Sequence, residues 1–137
     1  MARILNQAAL PPVLALAYIG DARHSLFVRK LLLSQGAVRS GELNKLSLNF
    51  VTAAAQAKAF LRIEAMLTED ERDVYRRAFN STHLNKPKHA SGKEYRMATG
   101  FEAVIGMLEY FGDEARIEEL LTVACDNKGD KDYDTEN

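Results

Sequence analysis

The stretch that most constrains the fold of this chain is Leu14-Ala-Leu-Ala-Tyr-Ile-Gly-Asp21-Ala-Arg-His-Ser-Leu-Phe-Val-Arg29. Pro11-Pro12 presets the backbone angle that opens a helix. Apolar or small residues then recur at Leu14, Ala17, Tyr18, Ser25, Val28 and Leu32, a helical stripe ending at Gly36. Asp21 falls on that stripe, one turn after Ala17 and one before Ser25. A carboxylate in such company is costly to bury unless it meets a cation or a donor. Alone, Asp21 fits equally well as a solvated side chain or as the cap of a helix starting after Gly20. A second acid in a similar setting makes the pattern more specific: Glu102, in Ala98-Thr-Gly-Phe-Glu102-Ala-Val-Ile-Gly106-Met-Leu.

The remaining chain reads as helices. Glu42 to Phe50 forms a short one after Ser40-Gly41, and Thr52 starts a longer one running to Met66, with a small Ala face at 53–59 suited to close approach by a neighbour. Thr68-Glu-Asp-Glu71 and Ser91-Gly-Lys-Glu94 are two capping boxes, the first opening a helix to about Asn80. Ser81 to Ala90, polar and basic with Pro87, is a loop. Met97, Phe101, Val104, Ile105, Leu108 and Phe111 trace a buried helix carrying Glu102, which Gly112 stops; Asp113 to about Cys125 forms the last helix. No convincing strand exists, so the fold class is all-α. Residues 1–125 make one domain, and 126–137 an acidic tail expected to be disordered.

Composition excludes several classes. With 137 residues, 47% apolar and 27% charged, the chain suits one soluble domain with a real core. Its longest apolar run is far short of a membrane span, and Met1-Ala-Arg lacks a signal-peptide layout. The single cysteine, Cys125, permits neither an intrachain disulfide nor a cysteine metal cluster, and a reducing cytoplasm is the natural setting. The net charge of −1 hides an asymmetry: residues 109–137 carry ten acids and three bases, and residues 1–108 nine acids and fifteen bases. Within 72–96, seven bases face only Asp73 and Glu94. Such a block suits a polyanion, although surface helices are also basic for solubility alone.

Most catalytic signatures are missing: no Gly-rich phosphate loop, no His-Glu-x-x-His, no Cys/His cluster, no Gly-x-Ser-x-Gly. His24 follows Asp21 by one turn and either lines the same site or is an ordinary partly buried imidazole; His83 and His89 lie in the basic loop. What remains is a pair of inward-facing acids, Asp21 and Glu102, on two helices near a basic loop. Hard divalent cations such as Mg2+ take one or two carboxylates and leave other positions to water and substrate phosphate. Such an ion activates water and neutralises charge at a phosphodiester, while a basic block holds a nucleic-acid backbone.

These residues resemble a known family. Tyr-Ile-Gly-Asp21-Ala is similar to the Leu-Gly-Asp-Ala signature helix of ribonuclease III, and Phe101-Glu102-Ala-Val-Ile-Gly106 to its second acidic motif, Phe-Glu-Ala-x-x-Gly. Leu-Ala-Tyr-Ile-Gly-Asp-Ala, Phe50-Val-Thr-Ala-Ala-Ala-Gln-Ala57, Lys86-Pro-Lys88 and Tyr95-Arg-Met-Ala-Thr-Gly-Phe-Glu-Ala103 resemble, in order, the blocks of the Mini-ribonuclease III branch. That branch is the catalytic domain without a double-stranded-RNA-binding domain. Coverage runs from about Leu14 to Leu121.

The resemblance implies an all-helical homodimer whose Mg2+ sites (Mn2+ as a possible substitute) each cut one strand of double-stranded RNA, with precursor 23S ribosomal RNA as the associated substrate. It makes Asp21 and Glu102 the metal-binding catalytic acids, and Arg76, Arg77, Asn80, Lys86 and Lys88 the RNA contacts. Full ribonuclease III has further acids where this chain has Ala17 and Thr99, which favours the smaller branch and leaves a lean site with side-chain charge −2. Arg77-Ala78-Phe79-Asn80 keeps only the ends of the branch's Arg-Gly-Arg-Asn run, so one arginine–phosphate contact is expected to be lost. The apolar Leu26–Leu33 stretch and the Ala face at 53–59 offer surface for a dimer. The competing class is a noncatalytic RNA-binding or ribosome-associated module of the same fold.

Overall fold

The computed structural model describes residues 10–82 and 92–128. The Lys86 and Lys88 contacts, His83, His89, the Ser91 capping box and most of the tail therefore lie outside the described residues. Among the described residues six α-helices follow in order: α1 Val13–Ser34, α2 Ser40–Val51, α3 Ala53–Ile63, α4 Glu69–Ser81, α5 Gly92–Phe111 and α6 Glu114–Ala124. A 3-10 turn, Glu64–Met66, ends the segment that the sequence reads as one helix to Met66. The described residues contain no strand, and none of their helices is long and apolar enough to cross a membrane.

Local chemistry sets the boundaries. Pro12 precedes α1 with φ −54°. Gly36, at φ 97°, lets the chain leave α1 through a conformation that residues with a Cβ rarely adopt, and the Ala37 N–H donates back to the Leu32 carbonyl. Thr52 separates α2 from α3 and caps α3 by accepting from the Ala55 N–H at 3.1 Å. The Thr68 capping box is complete: the Thr68 N–H donates to Glu71 Oε1 at 2.9 Å, and the Glu71 N–H to Thr68 Oγ1 at 3.2 Å. Gly112, at φ 72°, ends α5, and Asp113 caps α6 through the Arg116 N–H.

Helix α5 is the axis of the molecule. From Met97 to Leu108 every residue except Glu102 is buried, the signature of a helix enclosed by protein. Helices α1, α3, α4 and α6 surround it. Where α1 crosses it, Gly20 and Gly106 let the two backbones touch. A Cβ on Gly20 would fall on the Glu102 carbonyl oxygen, and one on Gly106 on the Leu16 carbonyl oxygen.

This crossing corrects the expected register of α1. The buried side is Val13, Leu16, Ala17, Gly20, His24, Val28 and Leu32, whereas Leu14 is 47% and Tyr18 82% exposed. Asp21 is therefore exposed rather than carried on the buried stripe. Close approach requires glycine against the neighbour, which turns the larger Leu14 and Tyr18 outward. On the Ala face of α3, Ala57 and Ala59 are buried within the chain, while Ala53, Ala54 and Ala55 are half-buried. Leu26 and Leu33 do remain exposed.

A second tie holds the rim. Glu71, fully buried at the start of α4, receives Arg116 Nη2 at 2.8 Å on Oε1 and Arg116 Nε at 3.0 Å on Oε2, while Nη2 also donates to the Met66 carbonyl. Such a bidentate pair is strong when its geometry is complete, and removing one partner strands the other.

Gly20→Ala and Gly106→Ala should each destabilise the fold by about 3 kcal/mol or more, because the obstacle is backbone that cannot rotate away. Gly41→Ala, with nothing within 4 Å of the added carbon, should be neutral or stabilising by up to about 1 kcal/mol. Urea unfolding of the three variants checks this; equal stabilities would contradict the crossing.

Candidate active site

The glycine crossing positions the two acids. Asp21 directly follows Gly20 on α1, and Glu102 lies one turn before Gly106 on α5. The structure thus brings together the two residues that the sequence pairs: the Glu102 carboxyl shares a hydrogen bond with Asp21. Burial pushes the Glu102 carboxyl up to about 8, the Asp21 hydrogen bond and charge push the same way, and the Gln56 amide opposes them. Near neutral pH and without a cation, the pair therefore holds a proton on Glu102, donated toward Asp21.

Asp21 opens on a groove of about 700 Å³ lined by Tyr18, Arg23, Leu26, Lys30 and Glu114, among others. The other acids there are engaged by Arg23, which lies 3.0 Å from Glu109 and 2.8 Å from Glu114. Asp21 and Glu102 instead face each other.

His24 does not line this groove. It is fully buried behind the acids, edge-on to the Phe101 ring at 5.3 Å. Burial holds its imidazole down to about 4 against the opposing charge of Asp21, so the ring is neutral. Its Nδ1 lies 3.3 Å from Gln56 Nε2, and its Nε2 lies 3.9 Å from Cys125 Sγ. Burial also pushes the Cys125 thiol up to about 12, which makes it unreactive.

Sequence reasoning missed Gln56, which donates from Nε2 to Glu102 Oε2 at 3.2 Å and is buried. The available signal was one uncharged polar side chain inside an alanine-rich helical face.

The candidate RNA contacts divide. Arg76 and Arg77 are exposed on α4, where both face Asp73, at 2.6 Å and 3.7 Å. Asn80 is exposed on the same helix. Ala78 is fully buried, and Phe79 packs beside Tyr75 with the Arg96 guanidinium 5.6 Å from its ring centre. At the two positions where the resemblance implies Gly-Arg, this chain has a core methyl and an aromatic ring packed against the core.

The donor set suits a hard divalent cation: two carboxylates held together, one of them exposed to solvent oxygens. Among the described residues no group of three or more His, Cys, Asp or Glu gathers to hold a metal, so water and substrate oxygens would complete the shell.

The Glu102 shift has a stability consequence. A folded value near 8, above the ordinary 4.5, means that folding takes up a proton. This contribution is full below about 4.5 and is lost as pH rises through about 8. Thermal unfolding in chelator from pH 5 to pH 9 should show wild type losing several degrees relative to Glu102→Gln, with Mg2+ reversing the loss at high pH. Parallel curves would contradict the assignment.

Comparison with known proteins places this geometry in a family. Residues 14–113 match the Ribonuclease III domain. A Mini-ribonuclease 3 from Symbiobacterium thermophilum is 44% identical over 124 residues, covering 90% of this chain and 95% of that protein. A Mini-ribonuclease 3 from Streptococcus pneumoniae is 38% identical, covering 80% and 87%. The crystal structure of protein FN1578 from Fusobacterium nucleatum superposes with a TM-score of 0.75 at 30% identity, over 82% of this chain and 92% of that one. With its helical fold and paired acids in place, the chain belongs to the ribonuclease III family of endoribonucleases.

Proposed function

We propose that this chain is a Mg2+-dependent endoribonuclease that cuts double-stranded or structured RNA. The observation that carries this reading is the convergence of Asp21 and Glu102, from two different helices, on one hydrogen-bonded pair beside an open groove. Those two side chains would hold the ion, with Mn2+ as a substitute. When bound, the ion supplies Lewis-acid stabilisation of the attacked phosphodiester and an activated water. Exposed Asp21 is accessible to phosphate oxygens, and Glu102 anchors the site from the central helix. Arg76, Arg77, Asn80, Lys86 and Lys88 hold the RNA backbone through sequence-independent charge. The domain is residues 1–125, the setting is the cytoplasm, and the natural substrate is precursor 23S ribosomal RNA, in keeping with the Mini-ribonuclease 3 relatives.

The working form is a homodimer, since cutting both strands of a duplex needs two sites related by a two-fold axis. Leu14, Tyr18, Leu26 and Leu33 recur along the outward side of α1 and supply an apolar face for a second copy.

Labelled duplex RNA with Mg2+ should be cut by wild type, while Asp21→Asn and Glu102→Gln lose at least about 100-fold in rate and still bind RNA. Precursor 23S ribosomal RNA should be cut at discrete positions. A wild type that binds duplex RNA and never cuts it would instead establish a noncatalytic RNA-binding or ribosome-associated module. In sedimentation, Tyr18→Glu combined with Leu26→Glu should convert a dimer to a folded monomer; an unchanged mass would remove α1 from the interface.

A further inference from the structure

Behind the two acids runs a line of polar side chains to which the proposed reaction gives no role. Gln56 sits on α3 with its side chain buried, and its Nε2 lies 3.2 Å from Glu102 Oε2 and 3.3 Å from His24 Nδ1. An amide nitrogen carries two hydrogens and accepts none, so both neighbours must accept. His24 is thereby fixed as the tautomer protonated on Nε2, the nitrogen facing the weak acceptor Cys125 Sγ. Phe101 meets the imidazole edge-on at 86° and holds the ring in place. The line draws on α1, α3, α5 and the residue just after α6.

A core needs no such arrangement to satisfy itself. A buried amide bonded only to His24 would be a local structural pair. This one uses its second hydrogen on an acid whose other neighbour is a second carboxyl group. We propose that Gln56, locked by His24, is the positioning residue for Glu102: its amide occupies one carboxylate oxygen and fixes the direction in which the group presents itself to a cation shared with Asp21. This rests on the metal reading of Asp21 and Glu102. Partners that orient a metal ligand commonly set affinity, because an unrestrained carboxylate must be ordered when the ion binds.

The test is Mn2+ binding to the full chain, followed by electron paramagnetic resonance of the free ion, with thermal unfolding of each variant as the fold check. Gln56→Met keeps the volume and removes both donors. His24→Leu removes the acceptor that locks the amide, whereas His24→Asn carries an oxygen close to the position of Nδ1. Gln56→Met should weaken Mn2+ binding by about 10–100-fold, and His24→Leu should weaken it in the same direction, with His24→Asn close to wild type. Cleavage by Gln56→Met should recover at high Mn2+ with the KM for RNA unchanged, a split that a merely structural role does not produce.

Wild-type Mn2+ affinity in both Gln56→Met and His24→Leu would overturn the proposal. If Gln56→Met fails to fold, the His24 pair decides: loss with Leu and retention with Asn supports it, and equal affinities overturn it. Glu102→Gln separates the two levels. If it binds Mn2+ as wild type does, the metal reading falls and the positioning role falls with it; if it loses binding while Gln56→Met keeps it, only the positioning role fails.

Discussion

Everything at the site depends on the contact between the α1 and α5 backbones at Gly20 and Gly106. Helices normally stand about 8–10 Å apart because side chains separate them. Here the neighbouring carbonyl oxygens of Glu102 and Leu16 occupy the space where a Cβ would stand on either glycine. A residue beside such a crossing is carried close to the partner helix. Asp21 is the next residue after Gly20, and Glu102 is a single turn from Gly106. The acids meet because the glycines do.

Two acid environments in the molecule differ in how their charge is met. Glu71 is fully buried, yet both its oxygens are met by one guanidinium, and the Thr68 N–H adds one further hydrogen bond to Oε1. Its charge is answered within the chain. Glu102 is met instead by the Gln56 amide and by a second acid; burial, reinforced by Asp21 and opposed by the amide, pushes its carboxyl up to about 8. This pair of acids at the crossing is where the proposed function places the divalent ion. His24 cannot supply that charge, since burial keeps it neutral.

Much of the fold was legible because its boundaries are written in local chemistry. The Thr68–Glu71 box, the Thr52 start and the Gly112 stop depend on residues within one turn of each other. The pairing of Asp21 with Glu102 was legible from motif, and the structure joins them. The orientation of α1 was not. Counting Leu14 and Tyr18 as core and passing over Gly20 follows from ranking residues by apolarity, whereas this interface is ranked by how closely backbones approach. Gln56 was hidden for a related reason: its partners lie 32 and 46 residues away, and no local periodicity marks a buried amide. Phe79 shows the same limit, because its packing beside Tyr75 and under Arg96 is set by α4 meeting α5.

On the proposed function, the Asp21–Glu102 pair exchanges its proton for a divalent ion. Titration calorimetry of Mg2+ into the chain at pH 7, repeated in buffers of different ionisation enthalpy, counts the protons released on binding. Wild type should release close to one proton per ion, and Glu102→Gln none. Mg2+ binding with no proton released, or with the same release from both proteins, would contradict it.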